Sequence, residues 1–462
     1  MILRPYWIVL GLIVYFPFED FTLKWLPVSD TVLTVLRLWS EGVLYGLLLI
    51  VIVNRLWKGN AIQKTPVDSF LLAFIVFAGI SIVLNRAPLL GSIINMRVLV
   101  RYITIYYVIV NLHLTRKQIQ QLLSFILFIA CGESLLAIFQ HFIGVSEFWY
   151  PRQSEVEVAG YKKTYAILTQ RGIEEGASIG TFGHSVAMGL YLLIAEVLIL
   201  GQVLVSWEGR YTRKQMILLV AGALVFVAIF FSYSRALMLS ACLALPMILF
   251  CLKRRRSLLA CLCLGGFAVY VFVGMGLIAG GGQPGFVDVK SAYVNPAENL
   301  TMLFTAEYFE QTSSGRQWIL TEVGKAILMS GNLIGFSPDE ETAREKIVAS
   351  SGGALNKLLS YQAFEDVFWV AMLAYYGFIG LGLFLLILLR IYKAAIWVVR
   401  HSFSRIDRAV SVTTSVLVLI VLPMTFIIKT FEFRHFSFYF WLISGLVMAE
   451  YIRLKSGISR AT

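Results

Sequence analysis

Long apolar runs alternate along this chain with short polar connections, and most runs are long enough to cross about 30 Å of hydrocarbon as a helix. They predict about twelve helices, over residues 6–18, 31–53, 66–84, 89–111, 119–143, 181–205, 215–234, 236–252, 257–279, 365–390, 409–428 and 434–452. The first of these is short. No small-residue cleavage site follows it and further apolar runs come close behind, so it reads as a retained helix rather than a cleavable signal. The polar connections differ in kind. Lys and Arg gather in every second one: Arg55, Lys58 and Lys64; Arg116 and Lys117; Arg210, Arg213 and Lys214; Lys253 to Arg256; Arg390 to Arg408; and the tail from Arg453 to Arg460. The positive-inside rule makes these cytoplasmic, and both termini with them. On the opposite side, 19–30 and 144–180 read as modest loops. Residues 280–364, about 85 in all and opening GGGQPG, read as one large extracytoplasmic loop.

Composition agrees with this patterning. Of 462 residues 58% are hydrophobic and 14% charged, and mean hydropathy is +0.78, which predicts an all-α polytopic membrane protein forming a single transmembrane domain over 1–462. The formal charge of +12 is explained by topology and anionic lipid, without a nucleic-acid partner. Cys131, Cys242, Cys251, Cys261 and Cys263 all lie in or beside apolar runs, with no metal-ligand spacing. The longest cytoplasmic connection, about 391–408, is too short for a nucleotide-binding domain, and no phosphate-cradling glycine motif is present. Any chemistry is therefore expected on the extracytoplasmic face.

Charges inside apolar runs are expensive unless they are paired or line a polar cavity, so they locate candidate chemistry. In NMRVLVRYITIYY, Arg97 and Arg101 lie four residues apart on one helix face, roughly 12 and 18 Å from its start. Two like charges so placed call for an anion, and the plainest supply would be Glu133 or Glu41. Arg37 and Glu41, also four apart, could instead pair with each other. Arg235 follows Ser232, Tyr233 and Ser234 at the junction of two apolar runs, at the external mouth of a helix hairpin, and a cation merely snorkelling to the interface would not need that Ser-Tyr-Ser turn before it. Arg316, Lys429 and Arg434 add cations on the same side, the last two in KTFEFRHF, where they could also anchor helix ends. Guanidinium groups hold two phosphate oxygens at once and keep their proton, which suits them to a pyrophosphate. His184, in TFGHSVAMG, is either a functional imidazole at that mouth or a helix cap. Tyr293, Tyr308, Trp318 and Tyr361 could stack on sugar rings or belong to the interfacial belt.

With TFGHSVAMGLYLLIA at 181–195, SYSRALMLS at 232–240, GRQWILTEVGKAILMSGNLIGFSP at 315–338 and EDVFWVAMLAYYGFIGLGLF at 365–384, the chain resembles the O-antigen ligase/polymerase superfamily in motif order and spacing. The earlier RYITIYYVIVNLHLTRKQIQQLL fits as well, and the resemblance covers most of residues 95–390. It implies a membrane glycosyltransferase of GT-C type on the outer face of the cytoplasmic membrane, with a polyprenyl-pyrophosphate-linked glycan as donor. The acceptor would be a glycan or lipid-linked glycan, and a chain-length regulator is an implied partner. No Asp-x-Asp pair stands in the external connections, so arginines rather than a metal are expected to stabilise the leaving group, and no cofactor is implied. Where the ligase branch carries histidine at the start of the helix after the long loop, this sequence reads QAFEDVFW. Glu365 and Asp366 are then candidate general bases, or simply the acidic N-terminal cap of that helix. The missing histidine favours polymerisation of repeat units, as in O-antigen or exopolysaccharide synthesis, over ligation to a lipid A core. A flippase, the reading from a different class, would call for two comparable halves, whereas this chain has one dominant loop.

Overall fold

A computed structural model describes residues 5–26, 30–144, 154–158, 161–165, 177–207, 212–253, 319–352, 355 and 367–457. Among the described residues the regular structure is helical apart from one hairpin. The described helices are α1 (Pro5–Trp25), α2 (Asp30–Trp57), α3 (Asp68–Leu84), α4 (Leu89–Val100), α5 (Ile103–Leu112), α6 (Arg116–Ile143), α7 (Ser185–Ser206), α8 (Arg213–Phe230) and α9 (Arg235–Cys251). They continue with α10 (Gly324–Met329), α11 (Glu340–Ser350), α12 (Phe368–His401), α13 (Arg405–Met424) and α14 (Arg434–Ser456). Among the described residues seven helices are long and apolar enough to cross a membrane, or eight if the bent pair α4–α5 is one span. The predicted segment 257–279 lies outside them.

Local chemistry sets several boundaries differently from the hydropathy pattern. A capping box between Thr115 and Gln118 starts α6 at Arg116, before the apolar run begins, and the same device at Thr212 and Gln215 starts α8. The first connection, expected as a loop from residue 19, is helical to Trp25, because Glu19 is buried and bonded where a loop would have hydrated it. The span expected to run unbroken over 89–111 is instead two helices that meet at 47° around Arg101 and Tyr102. The connection 144–180 contains the hairpin, β1 (Ser154–Val158) antiparallel to β2 (Tyr161–Tyr165), with Val156 opposite Lys163.

At the centre stand α7, α13 and α14, all buried along most of their length. Around α7 pack α8, α9 and α13, while α14 packs on α5 and α12. An aromatic seam of Phe16, Tyr102, Phe438, Tyr439 and Tyr191 joins α1, the α4–α5 bend, α7 and α14. At one end of the bundle Arg55 on α2 donates to the Ala61 and Asn111 carbonyls and to His113, tying α2, the 58–64 connection and α5 together. At that end too, Gln215 Nε2 of α8 donates to Ser206 Oγ of α7 at 3.0 Å.

Part of the predicted large loop is described, and it packs against membrane helices. After a π-helical turn at Ile319–Val323, α10 and α11 lie against α12, and α11 also meets α4. The segment between α10 and α11 enters a break in α12. Gly377 there has φ +64°, which interrupts the helix, and Gly335 opposite it has φ +83°. The Phe336 N–H donates to the Ala374 carbonyl at 2.7 Å, and the Ile379 N–H to the Leu333 carbonyl at 3.1 Å. Ser81 Oγ donates to the Tyr375 carbonyl at 3.3 Å, so the carbonyl groups freed by the break find donors.

Candidate functional site

The bend between α4 and α5 decides where the intramembrane arginines point. Arg97 lies in the last turn of α4 and Arg101 at the bend itself, and both reach Glu41 on α2. Arg101 Nη1 lies 2.8 Å from Glu41 Oε1, and Arg97 Nη1 lies 3.4 Å from Oε2. The Arg101 guanidinium also lies over the Tyr102 ring, 4.8 Å from its centroid, a cation–π contact that fixes its plane. Its Nη2 donates to the Glu432 carbonyl at 3.4 Å, which brings in the turn between α13 and α14.

From that turn the network continues into α1. Arg434, the first residue of α14, donates to Glu19 Oε2 at 2.9 Å, and Ser40 Oγ donates to the other Glu19 oxygen at 2.8 Å. Ser40 and Glu41 are neighbours on α2, so both carboxylate–arginine groups are fastened to one helix. His435 Nε2 lies 3.1 Å from the Phe16 carbonyl and 3.9 Å from the Asp20 carboxylate. Four separate stretches of sequence thus meet here: 16–20, 40–41, 97–102 and 432–435. Two guanidinium groups on one carboxylate leave Arg97, Glu41 and Arg101 with one positive charge in excess. Arg37, a turn before Glu41, is a further buried cation.

The other acid considered as counter-ion has a different task. Glu133 on α6 accepts from the Thr181 N–H at 2.9 Å and from Thr181 Oγ1 at 2.6 Å, so it fastens the stretch before α7 and does not neutralise the arginines. Gln140, two turns further along α6, accepts from the Ile179 and Gly180 N–H groups at 3.1 and 2.8 Å. His184 acts as the cap of α7: its Nδ1 accepts from the Val186 N–H at 3.1 Å, and its ring stands 5.6 Å from that of Phe433. The imidazole therefore sits beside the turn that carries Arg434.

Arg235 heads α9, half-buried, after a turn in which Tyr233 adopts a left-handed conformation with φ +53°. Ser232 Oγ donates to the Ile229 carbonyl at 2.7 Å, closing the end of α8, and the Phe231 carbonyl accepts from the Ser178 N–H at 2.9 Å. His141 on α6 stacks flat on Phe231 with centroids 4.0 Å apart. The serines that surround Arg235 in sequence thus shape its turn. Burial of the Tyr233 phenol in the same turn pushes its pKa upward.

Of the residues singled out from sequence, the fold brings Arg97, Arg101, Arg434 and His184 into one neighbourhood, with Arg235 on the turn that Ser178 ties to the start of α7. Glu365, Asp366 and Arg316 lie outside the described residues, as do Tyr293, Tyr308, Trp318 and Tyr361. Glu19, Ser40, Tyr102 and His141 belong to the same end of the bundle and were not singled out. An acidic pair at 19–20 closing an apolar run was the available signal for Glu19. No protein-family model matches the chain, and no curated protein does.

Proposed function

We propose that this protein is an outward-facing membrane glycosyltransferase that polymerises polyprenyl-pyrophosphate-linked oligosaccharide repeat units. In this reading the chain has about twelve spans in a GT-C-like arrangement, and 280–364 forms one large extracytoplasmic loop. Both termini are cytoplasmic and the membrane is the cytoplasmic one. The acceptor is a second glycan or lipid-linked glycan, with a chain-length regulator as partner.

The supporting observation is the convergence of Arg97 and Arg101 on a single carboxylate. An apolar bundle carrying two guanidinium groups at such a point, with positive charge left over, is suited to an anionic ligand that arrives from the lipid phase. The reaction is inverting transfer. Glu365 or Asp366 takes the proton of an acceptor sugar hydroxyl, and the oxygen forms a bond to the anomeric carbon of the donor. The bond from that carbon to the pyrophosphate oxygen breaks, and its electron pair leaves with the pyrophosphate. Arg97, Arg101, Arg235 and Arg316 hold the departing group, so the charge that develops is met by fixed cations.

The test is incubation of the purified protein with a lipid-linked repeat unit, followed by gel analysis of the glycan. Wild type should give a ladder of many repeat units in the presence of EDTA. Arg101→Ala and Arg235→Ala should each lower the rate at least a hundredfold, and lysine at either position should not restore it, lacking the two-pronged contact. Wild-type rates in the alanine variants would reject the arginine clamp. A single transfer to a lipid A core would make the protein a ligase, and loss of activity to EDTA with recovery on magnesium would replace the arginines by a metal.

A further inference from the structure

Two carboxylates meet arginines in this cluster, and their surroundings differ. Glu19 is sealed: it has no exposure, and its oxygens are taken by Ser40 Oγ at 2.8 Å and Arg434 Nη1 at 2.9 Å. Glu41 is not saturated. Its Oε1 takes Arg101 Nη1 at 2.8 Å, while Oε2, 3.4 Å from Arg97 Nη1, makes no hydrogen bond. Three donors in the same place are also left over. The Nε of Arg97, the Nε of Arg101 and the hydroxyl of Tyr102 are buried atoms with no hydrogen-bond partner, and Tyr102 has no exposure at all.

Each such unused buried group costs about 1–3 kcal/mol, so three on the residues of one cluster are out of place in a purely structural ion pair. With the extra positive charge, they describe a site for an anion that offers more acceptor oxygens than one carboxylate. The Arg97 side chain, 31% exposed against 8% for Arg101, supplies the route by which that anion reaches the pair. We propose that Glu41 is an internal stand-in for a diphosphate: its carboxylate holds Arg97 and Arg101 in place at rest, and the ligand's oxygens compete with it for the same guanidinium groups. The choice of a diphosphate rests on the glycosyltransferase reading above. The competition itself follows from the difference between Glu41 and Glu19.

Competition has a sign that ordinary contact loss does not. Removing the Glu41 charge should tighten binding, because the two guanidinium groups then have no internal anion to give up. The purified full chain in detergent would be titrated with inorganic pyrophosphate and, in mixed micelles, with a polyisoprenyl diphosphate. Glu41→Gln should bind about tenfold more tightly than wild type, equivalent to about 1.4 kcal/mol. Glu41→Asp, which keeps the charge but withdraws it by one methylene, should show a smaller gain, and it decides the matter if the glutamine variant does not fold. Glu19→Gln should show no gain. Equal tightening in Glu19→Gln would mean that overall charge and not displacement is at work, and would overturn the proposal. Unchanged or weaker binding in both Glu41 variants would overturn it too. A gain with both probes identifies the diphosphate as the competitor, and a gain with the micellar lipid alone assigns the site to a lipid headgroup; either supports the proposal. Ladder formation without the gain removes only the stand-in role of Glu41. The gain without any glycan transfer removes only the transferase reading.

Discussion

His184 sits where a cap and a catalytic imidazole would look alike, and its hydrogen bond separates them. Its Nδ1 is occupied by the Val186 N–H, a role that asparagine fills equally well at the start of a helix. His184→Asn should therefore keep wild-type thermal stability, whereas His184→Ala should lose about 1 kcal/mol in detergent unfolding experiments. On the glycosyltransferase reading proposed above, rates should follow the cap and not the ring, so a severe rate loss in a fully stable asparagine variant would return His184 to the chemistry. Legibility at this scale was uneven for a physical reason. That Arg97 and Arg101 share a helix face and need an anion follows from their spacing alone. Which acid supplies it does not, since Glu41 and Glu133 differ only in how their helices are rotated and bent relative to the arginines. Thr181, which claims Glu133, carries no charge and gave no warning in the sequence.

Elements were legible where apolar length or capping residues define them, and obscure where tertiary contacts break a helix. The 47° bend at Arg101 and Tyr102 occurs without proline or glycine, in a sequence that reads as one continuous span. The break at Gly377 is different, because a glycine marks it, but its partner Gly335 lies in a region that hydropathy assigns to a loop. Each glycine has positive φ, and a Cβ on Gly377 would run into the backbone of Gly335 and Leu333. Gly377→Ala should therefore misplace α10 and α11 together with the start of α12. At Gly377 φ +64° with ψ −168° is a backbone region open almost only to glycine, costing another residue about 1–3 kcal/mol, and the collision adds to it. Gly331 also has positive φ, yet a Cβ there meets nothing within 4 Å, so Gly331→Ala should show the conformational cost alone. A smaller loss of unfolding midpoint in Gly377→Ala than in Gly331→Ala would contradict the stitched break.

For the whole molecule, the two ends of the bundle differ in what their charges do. At the end defined by Arg55, basic residues such as Lys58, Arg116, Lys117, Arg213 and Lys214 are exposed on connections and helix starts. At the other end Arg97, Arg101 and Arg434 are drawn inward to acids on α1 and α2. Exposed cations that remain next to anionic lipid are what the positive-inside rule describes, whereas cations pulled into the bundle are what a buried anion site requires. This division yields a test of sidedness. In a chain whose cysteines have been replaced, Lys58→Cys and Lys325→Cys place single thiols at exposed positions, the first beside Arg55 and the second on α10. A membrane-impermeant maleimide added to intact cells should label Lys325→Cys and spare Lys58→Cys, and permeabilisation should make both reactive. The reverse pattern would put the arginine cluster on the cytoplasmic side. Nucleotide sugars are made on that side, so a transferase facing it would have no need of a lipid-linked donor.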